Sequence, residues 1–515
     1  METYKQEIKE KSRKLIWEHA VSSLTYNRVA NRVFTPDYMR NLWHYCYDDC
    51  LRPAFHEEIH YDCQYFLDWQ SFSDITYGTK RPEELKVAFF CGPEPENDVQ
   101  HLMELGVRIE NMYAFEYDKG IFRIAVDSLQ MTYPQLKIFR GNIESFTDTF
   151  SSTFDIIYLD FTGSLLTEFK TVCKMFENNA LSEQCVLIVN TTYPDKTDEN
   201  IDFLSRYFYV QECFERCALF GEEECDEDEK EYKFVETCLS YGLYTPDDVK
   251  KHISENFEEA YGAFQTHFVN SYAAMLKPIV SVLNNRMLKE RVFDLSEKDL
   301  RERAQDYLNN SYIIFDPSLC SWGTFTNIVE VSRWKQFFNI PEMGMILNRG
   351  DAIRIKDMYM NSTYDNLREI LSTPLQIEID RIMDSLVDKG GGLFCDVPMQ
   401  HLWLEMLINQ LGYPYHQNSK NMKRYRYKAK ERSMCLDILT FDRCRSLYDW
   451  LPMIEYYGAG LSVLERQMIT RMCIDAINKH TIWVLHRQYY GSAMVGVYEK
   501  PWGKHYFPMV REEIK

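Results

Sequence analysis

From residue 86 onward, the chain alternates short apolar runs with amphipathic segments. The run VAFF at 87–90 is typical of a buried strand, and Val99 and Leu102 follow it with helical spacing. MYAFE at 112–116 is the next apolar run. This spacing predicts one strand–helix–strand unit of about thirty residues.

The alternation continues through five predicted strands. Further apolar runs lie at 137–139, 155–160 and 185–190, with amphipathic segments before the first and between the last two. Strands that alternate with helices indicate a parallel sheet with crossover helices. The sequence therefore predicts an α/β fold with a Rossmann-like, doubly wound and mostly parallel sheet.

The flanking regions depart from this pattern and predict further domains. Residues 1–80 are predicted as an N-terminal helical cap, and the sheet domain is predicted to span 81–245. Residues 246–305 indicate a helical connector. The mixed pattern over 306–515, with a triple glycine at 390–392 before LFCD, predicts a second, C-terminal α/β domain.

The composition narrows the partners that the surface can bind. The 515 residues are 45% apolar and 26% charged, values typical of globular proteins, and they carry a formal net charge of −20. Over most of the surface this charge repels nucleic acid and anionic lipid, so such a partner requires a local basic patch.

The N-terminal residues and the cysteines bear on the compartment. Charges scattered through the first residues exclude a signal peptide, and no run of about eighteen apolar residues indicates a membrane span. The 15 cysteines are an odd number and include no C-x-x-C pair, which favours reduced thiols. We therefore expect a cytoplasmic protein without membrane contact.

Small and polar residues follow the predicted strands, at the edge where an open parallel sheet binds its ligand. Gly92 and Glu94 follow the first strand, Glu116 ends the second, and Asn142 comes after the third. Glu116 lies 24 positions after Gly92, close to the spacing at which an acidic side chain accepts hydrogen bonds from a ribose.

In strand order and in these residues, the segment of about 85–195 resembles the class I S-adenosylmethionine-dependent methyltransferases. The resemblance implies that Gly92 lets the backbone approach the methionine part of the cofactor and that Glu116 holds the ribose hydroxyls. It implies further that Asn142 accepts a hydrogen bond from adenine and that Asp160 faces the methyl acceptor. The chain departs from the family in having one glycine where two or three are usual, and in having Asn142 where Asp is frequent.

Glu94 and Glu96 bear on the kind of cofactor that the turn after the first strand accepts. A helix N-terminus attracts anions, so carboxylates beside it oppose a pyrophosphate, which argues against NAD and ATP. The methionine end of S-adenosylmethionine carries an amino group and a positive sulfonium, so a carboxylate such as Glu94 is tolerated or accepts from the amino group. In the alternative, both acids only cap the helix and complement its dipole.

The segment YLDFTGS at 158–164 is the candidate catalytic segment. It resembles loosely the segment in which amino-group methyltransferases place Asp or Asn, then proline and an aromatic residue, after the fourth strand. Asp160 would orient the acceptor nitrogen or accept its proton, and Phe161 would stack on the acceptor base. The proline is absent, and the alternative is a turn that only ends the strand.

A possible zinc motif lies in FHEEIH at 55–60. On a helix, H-E-x-x-H places His56 and His60 on one face as metal ligands. The continuation with a third histidine is absent, and Cys46 and Cys50 have poor zinc-finger spacing. We therefore predict no metal site.

The segment KNMKRYRYKAKER at 420–432 is a local basic patch of the kind that nucleic-acid binding requires in an acidic chain. Its basic side chains can neutralise phosphates, and its tyrosines can stack on unpaired bases. The predicted nucleic-acid contacts are Lys423, Arg424, Tyr425, Arg426, Tyr427 and Lys428. The alternative is an exposed basic strand that meets the chain's own excess of acidic residues.

Two functional hypotheses remain open at this point. The first is an enzyme that uses S-adenosylmethionine to methylate RNA or another nitrogen acceptor, with flanking domains that select the substrate. The second is a non-catalytic Rossmann-like scaffold whose cofactor site has degenerated and which works by binding partners. Binding of S-adenosylmethionine distinguishes the two.

Overall fold

The computed structural model describes the chain in several segments. These are residues 7–37, 40, 63–208, 246–284, 414–418, 421–429, 431–448, 483–484, 487–488, 505–506 and 511–515. The predicted strand LFCD, which follows the triple glycine at 390–392, lies outside the described residues.

The strands of the described residues form two sheets. In chain order they are β1 (Val87–Phe90), β2 (Met112–Glu116), β3 (Lys137–Arg140), β4 (Phe154–Asp160), β5 (Leu181–Thr192), β6 (His416–Gln417), β7 (Lys423–Ala429), β8 (Arg432–Asp442), β9 (Trp483–Val484), β10 (Arg487–Gln488), β11 (His505–Tyr506) and β12 (Glu512–Glu513). The central sheet has the order β12-β7-β8-β5-β4-β1-β2-β3, with β6 paired to β8, and the small sheet has the order β11-β10-β9.

The first five strands confirm the predicted fold class. They are parallel to their neighbours, and their order in the sheet is β3-β2-β1-β4-β5. This is the order of a Rossmann-like, doubly wound sheet. β8 departs from it because it runs antiparallel to both β5 and β7.

The helices cover both faces of the central sheet. They are α1 (Glu7–Leu24), α2 (Cys63–Tyr77), α3 (Glu96–Glu104), α4 (Lys119–Thr132), α5 (Ile143–Thr149), α6 (Leu165–Glu177), α7 (Asp198–Phe208), α8 (Pro246–Glu255), α9 (Phe257–Ser271), α10 (Lys277–Asn284) and α11 (Arg445–Tyr448). A π-helical segment, Tyr272–Leu276, joins α9 to α10. Within the described residues, no helix combines the length and apolarity that a membrane crossing needs.

Each face of the sheet has its own core, because successive residues of a strand point to opposite sides. In β4, Ile157 and Leu159 pack with α5 to α9, whereas Ile156 and Tyr158 pack with α1, α3 and α4. Trp17 of α1 is fully buried against the ring of Tyr158, with 5.6 Å between the ring centroids. The N-terminal helix is therefore part of the sheet's own core, whereas the sequence predicts it in a separate cap over 1–80.

The described strands of the C-terminal region also belong to the central sheet. The sequence predicts a separate α/β domain over 306–515, but β8 pairs with β5 from Gln184↔Asp442 to Thr192↔Met434. β12, near the C-terminus, pairs with β7. A buried apolar strand such as β8 has the same local pattern whichever strand it pairs with, so the pattern alone does not identify its partner.

A buried ion pair fixes the C-terminal segment to the sheet. Asp437 of β8 accepts hydrogen bonds from both terminal nitrogens of Arg511, from Thr266 Oγ1 at 2.9 Å and from Gln265 Nε2 at 3.2 Å. Arg511 also donates to the carbonyl oxygen of Gly262 at 2.8 Å. A Cβ at Gly262 would lie 2.8 Å from Arg511 Nε, so glycine permits this close approach. We call these residues the Asp437 cluster.

Candidate functional site

Four predicted site residues lie at the carboxyl edge of four neighbouring strands. Asp160 ends β4, Gly92 follows β1, Glu116 ends β2, and Asn142 follows β3. Backbone hydrogen bonds join the strand ends, from Cys91 N to the Phe115 oxygen at 3.1 Å and from Gly141 N to the Glu116 oxygen at 3.0 Å. The strand order therefore places them along one edge, where open α/β sheets bind their ligands. We call this edge the crevice.

Gly92 forms the turn between β1 and α3 in a left-handed conformation. Its φ is +57°, which side chains with a Cβ rarely adopt. Apart from its two chain neighbours, no atom of the described residues lies within 4 Å of the position that a Cβ would occupy, so these residues leave the space beside the turn open. The one glycine of this turn thus stands where the backbone conformation requires it.

The two acids after this turn, Glu94 and Glu96, differ in the hydrogen bonds that their carboxylate oxygens accept. Glu94 Oε2 accepts from Asn97 Nδ2 at 3.0 Å, within its own turn. Glu96 Oε1 accepts from Ser128 Oγ of α4 at 2.8 Å, while Glu96 Oε2 is buried with no hydrogen-bond partner among the described residues. A buried carboxylate oxygen without a donor is costly, and it is satisfied by a ligand that brings a donor or a positive charge.

Glu116 and Asn142 each hold the start of the next helix. Glu116 Oε1 accepts from the backbone nitrogen of Asp118 at 2.8 Å, and Asp118 in turn caps α4. Asn142 Oδ1 accepts from Ser145 N at 3.2 Å and caps α5. Each of the two side chains lies at the predicted strand end, and the local bond uses one of its lone pairs.

The charges around Cys91 show that the crevice is acidic. Burial, followed by the charges of Glu116, Asp98 and Glu96, raises the pKa of the Cys91 thiol. Cys91 therefore stays protonated and is not a nucleophile at neutral pH. The three acids that act on it come from α3 and β2, on two sides of the turn.

The two candidate catalytic residues have different surroundings. Asp160 Oδ1 accepts from Asn190 Nδ2 at 2.7 Å, and burial raises the pKa of Asp160. Phe161 is 6% exposed and packs edge-to-face on Phe90, with 5.6 Å between the ring centroids. The ring of Phe161 belongs to the core, and this position does not offer it to an acceptor base.

Three residues near the crevice, Asp98, Trp17 and Arg13, are not predicted from the sequence. Asp98 of α3 is 2% exposed and accepts from Trp17 Nε1 at 3.0 Å, and Arg13 Nε lies 3.5 Å from its Oδ1. Burial raises the pKa of Asp98, while the Arg13 charge lowers it. α1 thus brings a cation to the crevice from more than eighty residues away, and no local pattern indicates this contact.

The basic segment forms β7 and the start of β8, and only part of it faces solvent. Arg424 is 8% exposed and donates to the Gly262 oxygen, and Tyr427 is 5% exposed. Arg426 and Lys428 are exposed, and Lys423 and Tyr425 are half-buried. A predicted nucleic-acid contact therefore depends on these four residues and not on Arg424 or Tyr427.

The β7–β8 hairpin lies beside the candidate catalytic loop. Arg432, at the start of β8, is exposed and points Nη1 at the backbone oxygen of Thr162 at 3.5 Å. Thr162 follows Asp160 and Phe161 in the chain. The basic segment and the candidate catalytic segment, about 270 positions apart in the chain, are thus neighbours in space.

The possible zinc motif at 55–60 lies outside the described residues. Among the residues that the structure does describe, no group of three or more His, Cys, Asp or Glu side chains could hold a metal ion.

Comparisons with known proteins add little to this geometry. No family model and no curated protein matches the chain. A solved structure described as that of a caffeoyl-CoA O-methyltransferase from Staphylococcus aureus matches 42% of this chain and 82% of its own length, at 11% sequence identity. Its TM-score is 0.16, and the likeness carries no argument about function.

Proposed function

We propose that the crevice binds S-adenosylmethionine and that the chain is a methyltransferase-like enzyme. The observation that carries this proposal is the acidity of the crevice, above all the buried Oε2 of Glu96 without a hydrogen-bond partner among the described residues. Acids at the start of α3 oppose the pyrophosphate of NAD or ATP. They suit a ligand with a positive sulfonium and an ammonium group.

The residues of the crevice fit this cofactor in distinct roles. Gly92 provides the left-handed turn with open space beside it, where a ligand can approach the backbone. Glu116 retains an oxygen for ribose hydroxyls, and Asn142 retains a lone pair for adenine. Glu96, with Glu94 at the rim of the turn, accepts from the amino group. When bound, S-adenosylmethionine supplies a methyl group on a positive sulfur.

We propose that Asp160 orients the acceptor and takes the proton that the acceptor nitrogen loses. Asp160 is half-buried, and the desolvation of its carboxyl raises its pKa toward neutral pH, which suits a general base. Methyl transfer to a neutral amine depends mainly on positioning, so an oriented carboxylate beside the acceptor is the main requirement.

RNA is the acceptor class that the hairpin favours. Lys428 and Arg432 are exposed on the hairpin that contacts the loop after Asp160. Cations there can hold phosphates while a base reaches the crevice. Acids limit this patch: Glu513 pairs with Arg426 in the sheet, and Glu258 and Glu259 line the same shallow pocket as Arg426.

We also propose a cytoplasmic location. Five described cysteines, Cys91, Cys173, Cys185, Cys435 and Cys444, are free and buried. Free thiols are typical of a reducing compartment.

Transfer of a labelled methyl group from S-adenosylmethionine to total RNA tests this function. We expect incorporation with the wild-type protein and a loss of about a hundredfold or more in Asp160→Asn, which keeps the size of the side chain but removes the base. Asp118→Asn, at the same edge but in a helix cap, is the matched control. Incorporation that Asp160→Asn leaves unchanged would contradict the role of Asp160.

The non-catalytic scaffold remains a second candidate because of one observation. Phe161, the predicted aromatic partner of the acceptor, is buried against Phe90. A scaffold whose site has degenerated predicts neither binding of S-adenosylmethionine nor methyl transfer to any acceptor.

A further inference from the structure

Three side chains form a hydrogen-bonded chain from the candidate catalytic carboxylate to the basic hairpin. Asn190 Nδ2 donates to Asp160 Oδ1 at 2.7 Å and to the Tyr427 hydroxyl at 2.8 Å. Both hydrogens of one amide group are thus used, which fixes the orientation of that amide. Asn190 is 1% exposed and Tyr427 is 5% exposed, so water does not compete for these bonds.

The three residues come from three strands and share one face of the sheet. Tyr158 and Ile188, two residues before Asp160 and Asn190, lie in the core that α1 covers, and Tyr427 lies in that core too. Since side chains alternate along a strand, Asp160 and Asn190 are on the same face. In β8, which lies between β5 and β7, Leu436 pairs with Asn190 and Met434 with Tyr427. The hydrogen-bonded chain therefore runs from β4 to the adjacent β5 and then across β8 to β7, where Tyr427 lies two residues along from the level of Asn190.

Charged and titratable groups surround Asp160 from every element packed against it. Lys9 and Arg13 face it from α1, Asp98 from α3, Tyr158 from β4 itself and Tyr427 from β7. Burial raises the pKa of Asp160, whereas Lys9, the Asn190 bond and Arg13 lower it. Asn190 is the neutral donor among these groups that bonds the carboxylate directly.

We propose that Asn190 and Tyr427 are positioning residues that hold the Asp160 carboxylate in the orientation in which it meets the methyl acceptor. This inference rests on the proposed function, because that function gives Asp160 its role. The Asn190 bond occupies Oδ1, and no hydrogen bond to Oδ2 is present among the described residues. Oδ2 is thus the atom that accepts from the acceptor nitrogen, and fixing Oδ1 fixes Oδ2.

The role of Tyr427 follows from its hydroxyl alone. Its ring packs in the core of the α1 face, and only the hydroxyl reaches Asn190. Replacing Tyr427 by Phe removes the second anchor of the amide and leaves the ring in place. Asn190→Leu removes the donor itself and keeps a side chain of similar size.

Two measurements on these variants test the inference. The first is the pH profile of methyl transfer, and the second is the titration of aspartate carboxyl carbons by 13C NMR, with Asp160 assigned by the loss of its signal in Asp160→Asn. We expect Asn190→Leu to lower the transfer rate about ten- to a hundredfold, as loss of a charge-assisted hydrogen bond does. We expect Asp160 to titrate at higher pH in that variant, because its charged form loses a donor.

Tyr427→Phe should also lower the methyl-transfer rate and raise the pH at which Asp160 titrates, but both by less than Asn190→Leu does. Asn111→Leu is the matched control, because it removes an amide that donates to the Glu83 oxygen, away from Asp160. It should leave the Asp160 titration unchanged.

The outcomes separate this inference from the proposed function. Wild-type protein that neither binds S-adenosylmethionine nor transfers its methyl group would overturn both. Normal binding and transfer, with the same Asp160 titration and the same pH profile in wild type and Asn190→Leu, would overturn the positioning role alone.

Discussion

The crevice and the Asp437 cluster both bury carboxylates, but they differ in how fully those charges are paired. Asp437 is 0% exposed, and both of its oxygens accept hydrogen bonds, from Arg511, Thr266 and Gln265. In the crevice, Glu96 keeps a buried oxygen without a partner among the described residues. Asp160 is half-buried there, and the hydrogen bond from Asn190 goes to its Oδ1.

This difference separates a structural role from a functional one. A buried charge whose acceptors are all used can take no ligand, and removing its partner mainly costs stability. A buried acceptor that is left open, at the edge where α/β sheets bind ligands, costs stability until a ligand fills it. The Asp437 cluster should therefore respond to mutation in the unfolding free energy, and the crevice should respond in ligand affinity.

The largest expected effect is on the Asp437 cluster. Arg511→Ala should lower the free energy of unfolding by about 3 kcal/mol, because the buried Asp437 carboxylate loses its two hydrogen bonds from Arg511 and keeps only Arg424, 3.9 Å away, as a charge partner. Thermal or urea unfolding measures this loss. Arg426→Ala, at an exposed arginine on the neighbouring strand, is the control and should change stability by less than about 0.5 kcal/mol. Equal stabilities for the two variants would show that the ion pair does not hold the C-terminal segment.

Lys277 extends the comparison to a buried cation. It is 0% exposed, and its Nζ donates to Asn179 Oδ1 at 2.9 Å. Burial, and then the charge of Arg443, lowers the pKa of Lys277 to about 7. Between pH 7 and the usual lysine pKa, the unfolded chain therefore binds more protons than the folded one, and stability rises with pH.

The matching variant is Lys277→Met, which removes this titration. Relative to that variant, wild type should gain about 1.4 kcal/mol per pH unit from pH 7 upward, up to the lysine range. Denaturant unfolding at pH 7, 8 and 9 measures the difference in the free energy of unfolding between wild type and Lys277→Met. The same substitution at the exposed Lys14, Lys14→Met, is the control. A gap that is constant over this range would mean that Lys277 titrates normally.

In the crevice, the largest expected effect is on cofactor affinity. Glu116→Ala should weaken binding of S-adenosylmethionine by about 1.5–3 kcal/mol, or roughly ten- to a hundredfold, since a charge-assisted hydrogen bond is lost. Glu94→Ala should weaken it far less, because Glu94 Oε2 already accepts from Asn97 and Glu96 remains to accept from the amino group. Calorimetric titration measures both, after unfolding curves have shown that the free proteins are equally stable. Equal affinity of Glu116→Ala and wild type would place the cofactor elsewhere.

Glu96→Gln tests how much the unpaired Oε2 of Glu96 contributes to cofactor binding. The amide keeps the size of the side chain and the acceptor for Ser128 but removes the charge. We expect binding of S-adenosylmethionine to weaken by about 1 kcal/mol, roughly fivefold, with no loss of stability in the free protein. A variant that is less stable without ligand but binds with wild-type affinity would make Glu96 structural, as Asp437 is.

The smallest expected effect is at the hairpin. Lys428→Ala should lower RNA affinity slightly for all sequences and should reduce the slope of log affinity against log salt by about one. Filter binding over a series of salt concentrations measures this slope. Lys251→Ala, at an exposed lysine of α8, is the control. An unchanged slope in Lys428→Ala would remove the hairpin from the nucleic-acid surface.

The sequence predicts the parallel half of the sheet well because its signal is local. The bounds of β1 and β2 agree with the predicted 87–90 and 112–116, and β3 and β4 each extend one residue beyond their predicted ranges. β5 has 12 residues, twice the length of the predicted run at 185–190. Strand ends then place Gly92, Glu116 and Asn142 at one edge. Each of these inferences needs only the pattern of about a hundred consecutive residues.

The features of the fold and the site that the sequence does not predict depend on contacts between residues far apart in the chain. β8 pairs with β5 about 250 positions earlier, and Arg13 approaches Asp98 across 85 positions. Tyr427 is another example: its segment predicts a nucleic-acid contact, but Tyr427 is buried in the core that α1 covers, about 400 positions earlier in the chain. Contacts between distant segments determine which charged residues are exposed, and the local hydrophobic pattern carries no information about these contacts.

The central claim is that an acidic crevice at the carboxyl edge binds a cationic cofactor and rejects anionic nucleotides. Calorimetric titration of the wild-type protein with S-adenosylmethionine, its demethylated product, NAD and ATP tests it most directly. We expect saturable binding of the first two, weaker for the demethylated product because it lacks the positive sulfonium, and no binding of NAD or ATP at the same concentrations. No heat with S-adenosylmethionine at millimolar concentration, or tighter binding of NAD or ATP, would contradict it.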